Sequence, residues 1–584
     1  AAARGLHRGQ SIAAAEALCG DLCAVDDDPA RLARARDFLA AWAYRYSSQV
    51  STDVPGALLL EVQGSLGLFG PWPAFEARLR DDLAALGFRH RIALAPNAAA
   101  AAVTSYLESV GAIEPGVVVK NGSGLFDANR ITLDSTVALA SGRLSANARQ
   151  GITLGSRAAL DLAGRKVSLY DVDKFSWGGD VLLSSDTGDI RADAASRIDV
   201  SARNNRGGRL TVTAMAGRAD LAGVLQGAAS GRYDAGGTLV PYDGGELVVR
   251  ARQLQDFAGL NQRLTAGGVV GGRSFQIGEG DLRIGDEVKA RRVDISVDAG
   301  SLTVAGRIDA SGEQVGSIRL YARDQLQVDG TLDAHGTGLR VDSHGKIIDS
   351  PNRATITLGS AEGAVGLGSA AQLDLRAGSD VTVGGRPGQN DGTPRGTLKI
   401  DVPRLGSNDA AIAAATGLRI DGAADIQLNG VRRYDDAPLA ATADVRGNRA
   451  QLVTQQWLDQ VVDPHSVAWI DAALDNADLQ QRTRALGDVR LRPGVQVLAR
   501  RSDANPDGDL TIAGDIDLSG YRYGPEANRA DPSRRGFGES ASLVLRAEGN
   551  INVYGSINDG FAPPPSTPDE GGWQLYEGRN GSAG

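Results

Sequence analysis

Few residues in this sequence have the types and spacing that chemistry requires. Asp503-Ala-Asn505-Pro-Asp507-Gly508-Asp509 matches the first half of a calcium loop, with oxygen ligands at alternate positions. The twelfth position of such a loop should carry a bidentate glutamate, but it is Gly514, and Pro506 stiffens the run. A polar turn is therefore expected there. Cys19 and Cys23 form a C-x-x-x-C pair with no second pair and no neighbouring histidine, a poor zinc set. Two small apolar residues on one helix face account for them. The histidines, His7, His90, His335, His344 and His465, are scattered, and His335 and His344 flank one loop without a third ligand. No nucleophile elbow, phosphate loop or His-Glu-x-x-His helix occurs. The expectation is a protein with no catalytic residue, no cofactor-binding residue and no metal ligand set, and hence no enzyme.

The composition says what kind of scaffold would hold such residues. Glycine contributes 76 of 584 residues, nearly twice its usual share of about 7%. The glycines do not fall at every third place, which excludes collagen. Hydrophobic residues make up 42% and alternate with polar ones, which excludes a disordered acidic chain despite a net charge of −10. No apolar run reaches the roughly 18 residues needed to span a membrane as a helix. The opening Ala1-Ala2-Ala3-Arg4 lacks a methionine and reads as the inside of something longer.

One pattern keeps returning after residue 133. Its clearest copy is Gly300-Ser-Leu302-Thr-Val304-Ala-Gly306-Arg-Ile308-Asp309-Ala310-Ser311-Gly312. It recurs from Asp324 through Leu326, Val328, Leu332 and Asp333 to Gly336, from Gly508 through Leu510 to Gly520, and from Gly549 through Ile551 to Asn558. Two apolar positions, a glycine corner, a third apolar position and an Asp or Asn describe two short strands with a bend between them. Ile318, eight before Leu326, and Leu543, eight before Ile551, mark a preceding strand. The unit occupies roughly 20 to 25 residues, which is solenoid arithmetic. Strands this short cannot offset their ordering entropy alone, so the chain must coil and stack them into a parallel β-helix. Leu302, Leu326, Leu510 and Ile551 are expected to point inward, and the corner Asp residues to bond turn amides. Residues 448–486 break the pattern. Trp457, Leu458, Val461, Val462, Trp469, Ile470, Leu474 and Leu479 fall at helical spacing and predict a helical excursion.

Residues 1–103 follow a different grammar. Leu32, Ala35, Leu39, Trp42 and Tyr46 predict a helix over 30–46, Ala57–Val62 a strand, Leu79, Leu83 and Leu86 a helix face over 75–86 stopped by Gly87, and 89–95 a second strand. Leu58-Leu59-Leu60-Glu61-Val62-Gln63-Gly64, Leu68-Phe69-Gly70 and Ser11–Cys19 resemble the palm of Y-family DNA polymerases, closest to their inactive homologue in bacterial mutagenic-repair operons. Active relatives place adjacent Asp and Glu here to hold two magnesium ions. This chain has Asp53 followed by Val54, so the resemblance implies a degraded site and a surface role for Asp53. The segment holds 10 Arg and no Lys against 11 acidic residues, giving no basic excess for phosphates. Tyr106–Gly111 and Val117–Leu125 resemble a short piece of D-alanyl-D-alanine carboxypeptidases. Those enzymes need Ser-x-x-Lys on a helix; the sole match, Ser343–Lys346, sits in a glycine turn.

The repeats of 134–584 resemble the filamentous-haemagglutinin family of secreted exoproteins. That resemblance implies a right-handed parallel β-helix shaft, two-partner secretion through an outer-membrane partner, a place at the bacterial cell surface, and adhesion to a host-cell or surface receptor, glycans included, with nucleic acid disfavoured. The Asn-Pro-Asn-Gly signature of its secretion domain is absent. The expected fold is mainly β: this solenoid over 134–584, a junction over 104–133, and an α/β segment over 1–103, together an apparent mosaic. The leading functional expectation is a non-catalytic adhesin shaft. The alternatives are an inactive accessory protein of DNA repair by translesion synthesis, through residues 1–103, and a polysaccharide-acting β-helix enzyme. The last is the weakest, because aromatics are only 5% and the repeated Asp residues sit at corners.

Overall fold

The motif that returns in the sequence is also the unit that pairs. The computed structural model describes residues 29–52, 58–70, 72–88, 90, 92, 123–169, 172–378, 392–527, 537–559, 561–562 and 574–575. In it Leu302–Val304 lies parallel to Leu326–Val328, and Arg307–Asp309 parallel to Thr331–Asp333. Equal places of the two copies face each other: Leu302 with Leu326, Val304 with Val328, Ile308 with Leu332, Asp309 with Asp333. Val365–Leu367 and Gln372–Asp374 extend the two series, followed by Ile412–Ala414 and Arg419–Asp421. Each series is a five-stranded sheet. A third sheet of 17 strands includes Gly272–Ile277, Arg292–Val297, Ser317–Ala322, Thr355–Ser360 and Gly396–Leu405, each parallel to the next. The chain is therefore mainly β, with long parallel sheets and few helices.

Alternation explains the core. Ile318, Leu320, Ile356, Leu358, Leu398 and Ile400 occupy every second strand position and are fully buried, while their strand neighbours, apart from the buried Gly359, are half-buried or exposed. Each such side chain contributes about 1.5–3 kcal/mol of apolar burial. Parallel neighbours on both sides satisfy the backbone groups that a lone three-residue strand would leave open. Leu302, Leu326 and Leu510 are all inward and fully buried. Ile551 is not: it is 46% exposed. Its strand, Ile551–Tyr554, pairs with Leu510–Ala513 on one side, and no described strand covers the other. The repeat length also departs from an even 20 to 25 residues. Gly272 pairs with Arg292 and Arg292 with Ser317, but Ser317 pairs with Thr355 and Thr355 with Thr397. The longer turns carry excursions, such as the loop holding Val341, Ile347 and the helical turn Ser350–Asn352.

Some contacts skip a strand. Tyr321 faces Gly359, which faces Asp401. A Cβ on Gly359 would come within 2.2 Å of the Tyr321 ring. The ring lies across that bare backbone, and its hydroxyl donates to Asp401 two strands away. Burial, then the adjacent Asp401 charge, pushes the Tyr321 hydroxyl pKa well up.

The predicted helical excursion begins later than expected. Gln451–Val453 is a strand paired with Leu510–Ala513. Thr454 then caps a helical run, its hydroxyl accepting the Trp457 N–H at 3.2 Å. Gln455–Trp457, the π-type segment Leu458–Val462, Asp463–Leu474 and Ala477–Thr483 follow. Trp457, Leu458 and Val462 join a core cluster with Val495, Val497, Leu510 and Ile512. Trp469 rests on Gly430, where a Cβ would meet the indole at 2.1 Å.

The chain divides into two compact units, Ala1–Gly122 and Ser123–Gly584. Within the first unit, Pro29–Ala43 and Trp72–Ala85 are helices, and Val50–Ser51 pairs antiparallel with Leu59–Leu60. Trp42, Ala43, Tyr46, Phe75 and Leu79 form its buried centre, with Leu39, Leu60, Val62 and Leu83 packed around them. Leu86 departs from the predicted helix face and is exposed. The helix has ended by then: Gly87 adopts φ +80°, and Phe88 N donates to Leu83 O at 3.0 Å in a glycine-ended stop. Of the strand expected at 89–95, only 90 and 92 lie among the described residues.

Candidate functional site

The repeated corner aspartates serve the turns that follow them. Asp309 Oδ1 accepts the Ser311 N–H at 3.1 Å, Asp333 Oδ1 that of His335 at 3.2 Å, and Asp374 Oδ1 that of Arg376 at 3.1 Å. Parallel register stacks these carboxylates on one another. Basic side chains fill the spaces between them. Lys289 reaches Asp309 at 3.1 Å and Arg307 reaches Asp333 at 2.6 Å. Partial burial works to raise the Asp309 and Asp374 carboxyls, but bonds from Ser311 and Lys289 in one case and Arg376 in the other outweigh it and hold both below the usual range. Asp199 is lowered in the same way, burial being overcome by Ser201 and Arg197.

Among the described residues, one group of three could offer metal ligands: Asp333, His335 and Asp374. His335 Nδ1 lies 2.6 Å from Asp333 Oδ1 and 3.9 Å from Asp374 Oδ2. The oxygens are already engaged by turn amides, Arg307 and Arg376. These residues belong to the corner ladder, whose lowered carboxyls, those of Asp199, Asp309 and Asp374, give it a pH signature. Each of the three lowered carboxyls has a folded pKa below its unfolded value near 3.8. Their stabilisation is therefore complete above that pH and is lost as pH falls through the folded values. The thermal midpoint should stay level from neutrality to about pH 5 and then drop below about pH 4. A midpoint that rises on acidification in this window contradicts the ladder.

The other residues singled out by sequence are turn residues. Asp342 Oδ1 accepts the N–H groups of His344 and Lys346, both at 2.9 Å, around Gly345 at φ +80°. Ser343 and Lys346 thus sit in a tight loop without the helix that would make them nucleophile and base. In the calcium-like run, Asn505 Oδ1 accepts Asp509 N–H at 3.0 Å and Asn505 Nδ2 donates to Asp509 O at 3.0 Å. Asp509 accepts Asn550 N–H at 2.7 Å. Its oxygens hold neighbouring strands together. Cys19, Cys23, His7 and Asp53 lie outside the described residues.

Sequence reasoning missed one buried cation. Arg273 occupies an inward place between Leu247 and Val293 and is 1% exposed. Its guanidinium donates to Val269 O at 3.1 Å, Asn261 O at 3.2 Å, Asn261 Oδ1 at 2.9 Å and Thr265 Oγ1 at 2.9 Å. It thereby closes the C-terminal end of the helix Phe257–Ala266 against the sheet. Burial pulls its pKa down to about 10, and Glu287 acts in the opposite sense. The signal lay in the alternation, which puts an arginine in register with Phe275 and Ile277.

In the first unit an aromatic cluster joins the two helices. Trp42 and Tyr46 lie 5.1 Å apart, Tyr46 and Phe75 5.9 Å, and Phe69 stacks on Phe75 at 5.0 Å. The Tyr46 hydroxyl donates to Asp82. Glu76 is held by Arg80 at 2.6 Å. The donor set does not fit a magnesium pair: in sequence Asp53 is followed by Val54, and the described carboxylates Asp82 and Glu76 serve packing and pairing within the helical layer.

The comparisons with known proteins fall on this unit. Residues 1–106 match the impB/mucB/samB family. Protein ImuB of Caulobacter vibrioides, from each of two strains, is 38% identical over 97 residues, an alignment that covers 17% of this chain and 21% of the relative. The chain thus spans about a fifth of the length of the curated relatives it matches. No solved structure matches. These findings overturn the filamentous-haemagglutinin reading, and with it the adhesin function, two-partner secretion, the outer-membrane and receptor partners, and the cell-surface location. The physical reason is plain. The repeat of 134–584 is what parallel stacking demands of any chain, namely alternation, glycine corners and corner aspartates, so it specifies architecture and not ancestry. In the short carboxypeptidase-like stretch, Ser123–Ala128 is a strand laddered in parallel on Arg143–Ala148. Among the described residues no helix is long and apolar enough to cross a membrane.

Proposed function

We propose that this chain is an accessory protein of DNA-damage tolerance, acting through a polymerase-palm-like module at residues 1–106 that performs no nucleotide transfer of its own. The family match over those residues carries the reading. Asp53-Val54 in place of adjacent acidic residues supports the lack of catalysis, since a lone carboxylate cannot clamp two metal ions. The partners on this reading are a translesion-synthesis polymerase and the DNA it copies, and the place of action is where the chromosome is. The small basic complement of residues 1–103 makes DNA contact secondary to protein contact.

Ser123–Gly584 is, in this proposal, a non-catalytic scaffold: a parallel β-helix whose three sheet series are the faces of one coil. A right-handed winding follows the strong preference of parallel strand crossovers for that hand. The test is made in the source organism. Deleting the gene should abolish damage-induced mutagenesis, and the full chain should restore it. Phe75→Asp, which places a charge in the aromatic centre of the first unit, should not restore it. In primer extension with magnesium the purified full chain should incorporate no nucleotide. Unchanged induced mutagenesis in the deletion strain, or incorporation that Asp53→Asn abolishes, overturns the reading.

A further inference from the structure

A cavity of about 490 Å³ opens between the helix Asp463–Leu474 and the strands Gly396–Leu405 and Ala423–Tyr434. Its walls carry Arg404, Arg432, Arg433 and His465, and no lining residue is acidic. Arg433 is compensated by Glu362 at 3.2 Å. Among the described residues Arg404 and Arg432 form no ion pair. Arg404 is fixed in place: it stacks on Trp469 with its guanidinium carbon 4.6 Å from the ring centre, and donates to Gly430 O at 2.9 Å and Gly494 O at 3.2 Å. Arg432 is exposed, and its guanidinium carbon lies 5.1 Å from the centre of the Tyr434 ring. Two like charges share a concave, partly desolvated space, where their repulsion is screened less than on an open surface. Burial and then the charges of Arg432 and Arg404 hold the His465 imidazole below its usual pKa, the direction expected of a net positive field, with Asp436 beyond the wall acting in the opposite sense.

We propose that this cavity is an oxyanion site that takes the phosphate group of a small phosphomonoester. Arg432 supplies the mobile, bidentate-capable donor, and Arg404 the fixed positive floor. His465 adds a ring N–H. The cavity is larger than a phosphate ion, and Val431, Pro403 and Ala468 give the remainder of the ligand an apolar wall. This site lies wholly in the second unit and is independent of the proposed role of residues 1–106.

Calorimetry on the full chain at low ionic strength tests it, with inorganic phosphate, adenosine monophosphate and uncharged adenosine as probes. Phosphate and the monophosphate should bind and adenosine should not, with the monophosphate the tighter of the two because its remainder meets the apolar wall. Arg432→Gln should weaken binding at least about tenfold, the loss of one charge-assisted contact. Ala468→Trp should abolish it by filling the space, and it keeps the test open if Arg404→Gln fails to fold. Adenosine binding as tightly as its monophosphate, no binding of either phosphate, or binding unchanged in both Arg432→Gln and Ala468→Trp overturns the proposal.

Discussion

Leu326→Asp should destabilise the second unit by more than about 5 kcal/mol, and Leu326→Ala by about 2–5 kcal/mol. Leu326 is fully buried between Leu302 and Val365, so alanine leaves a gap in an apolar stack. Aspartate leaves the gap and also places a carboxylate where no donor waits. The same change at Ile551 should cost under about 1 kcal/mol, because that side chain is 46% exposed. Urea unfolding followed by far-ultraviolet circular dichroism measures all three. Equal midpoints for Leu326→Asp and Leu326→Ala would show that the register is wrong.

Arg273→Ala is expected to cost about 3–5 kcal/mol, combining lost packing with acceptors left bare. Four oxygens, on Asn261, Thr265 and Val269, lose the guanidinium at once, and of these Asn261 O keeps the Thr265 hydroxyl as a donor at 3.0 Å. Arg273→Met restores most of the volume but none of the donors, so it should recover only the packing part. If methionine matches the wild type in urea midpoint, the helix Phe257–Ala266 is held by apolar contact and the guanidinium is incidental.

The sequence was most informative where one rule acts repeatedly. Alternation and glycine corners placed Leu302, Leu326 and Leu510 correctly and foretold that corner aspartates bond turn amides. Ile551 follows the same local pattern, yet its exposure depends on whether another strand lies beyond it, which no local pattern encodes. Arg273 breaks the alternation, and its donors find acceptors on a helix that precedes it by a turn. Arg404 and Arg432 are 28 positions apart and far from His465 in sequence. Only the parallel pairing of Pro403 with Val431, with the helix folded across it, brings them to one cavity. Family resemblance was the least legible from the repeats. The residues that match known relatives lie in the first 106 positions, whereas the most regular grammar lies elsewhere and reflects packing.

The Tyr321 ring, lying across Gly359 to reach Asp401, has a bearing on how such an array can change length. Stacked repeats ordinarily grow or shrink by duplication or loss of one unit, since each meets only its neighbours. Here three successive units are tied as a set: a wide side chain, a bare middle and an acceptor. A duplicated turn inserted on either side of Gly359 would carry the phenol away from its acceptor and leave a buried hydroxyl facing a stranger. Insertion of a whole turn should therefore be excluded between Tyr321 and Asp401, whereas the loops that leave the sheet inside that interval, such as the one holding Val341 and Ile347, remain free to vary in length.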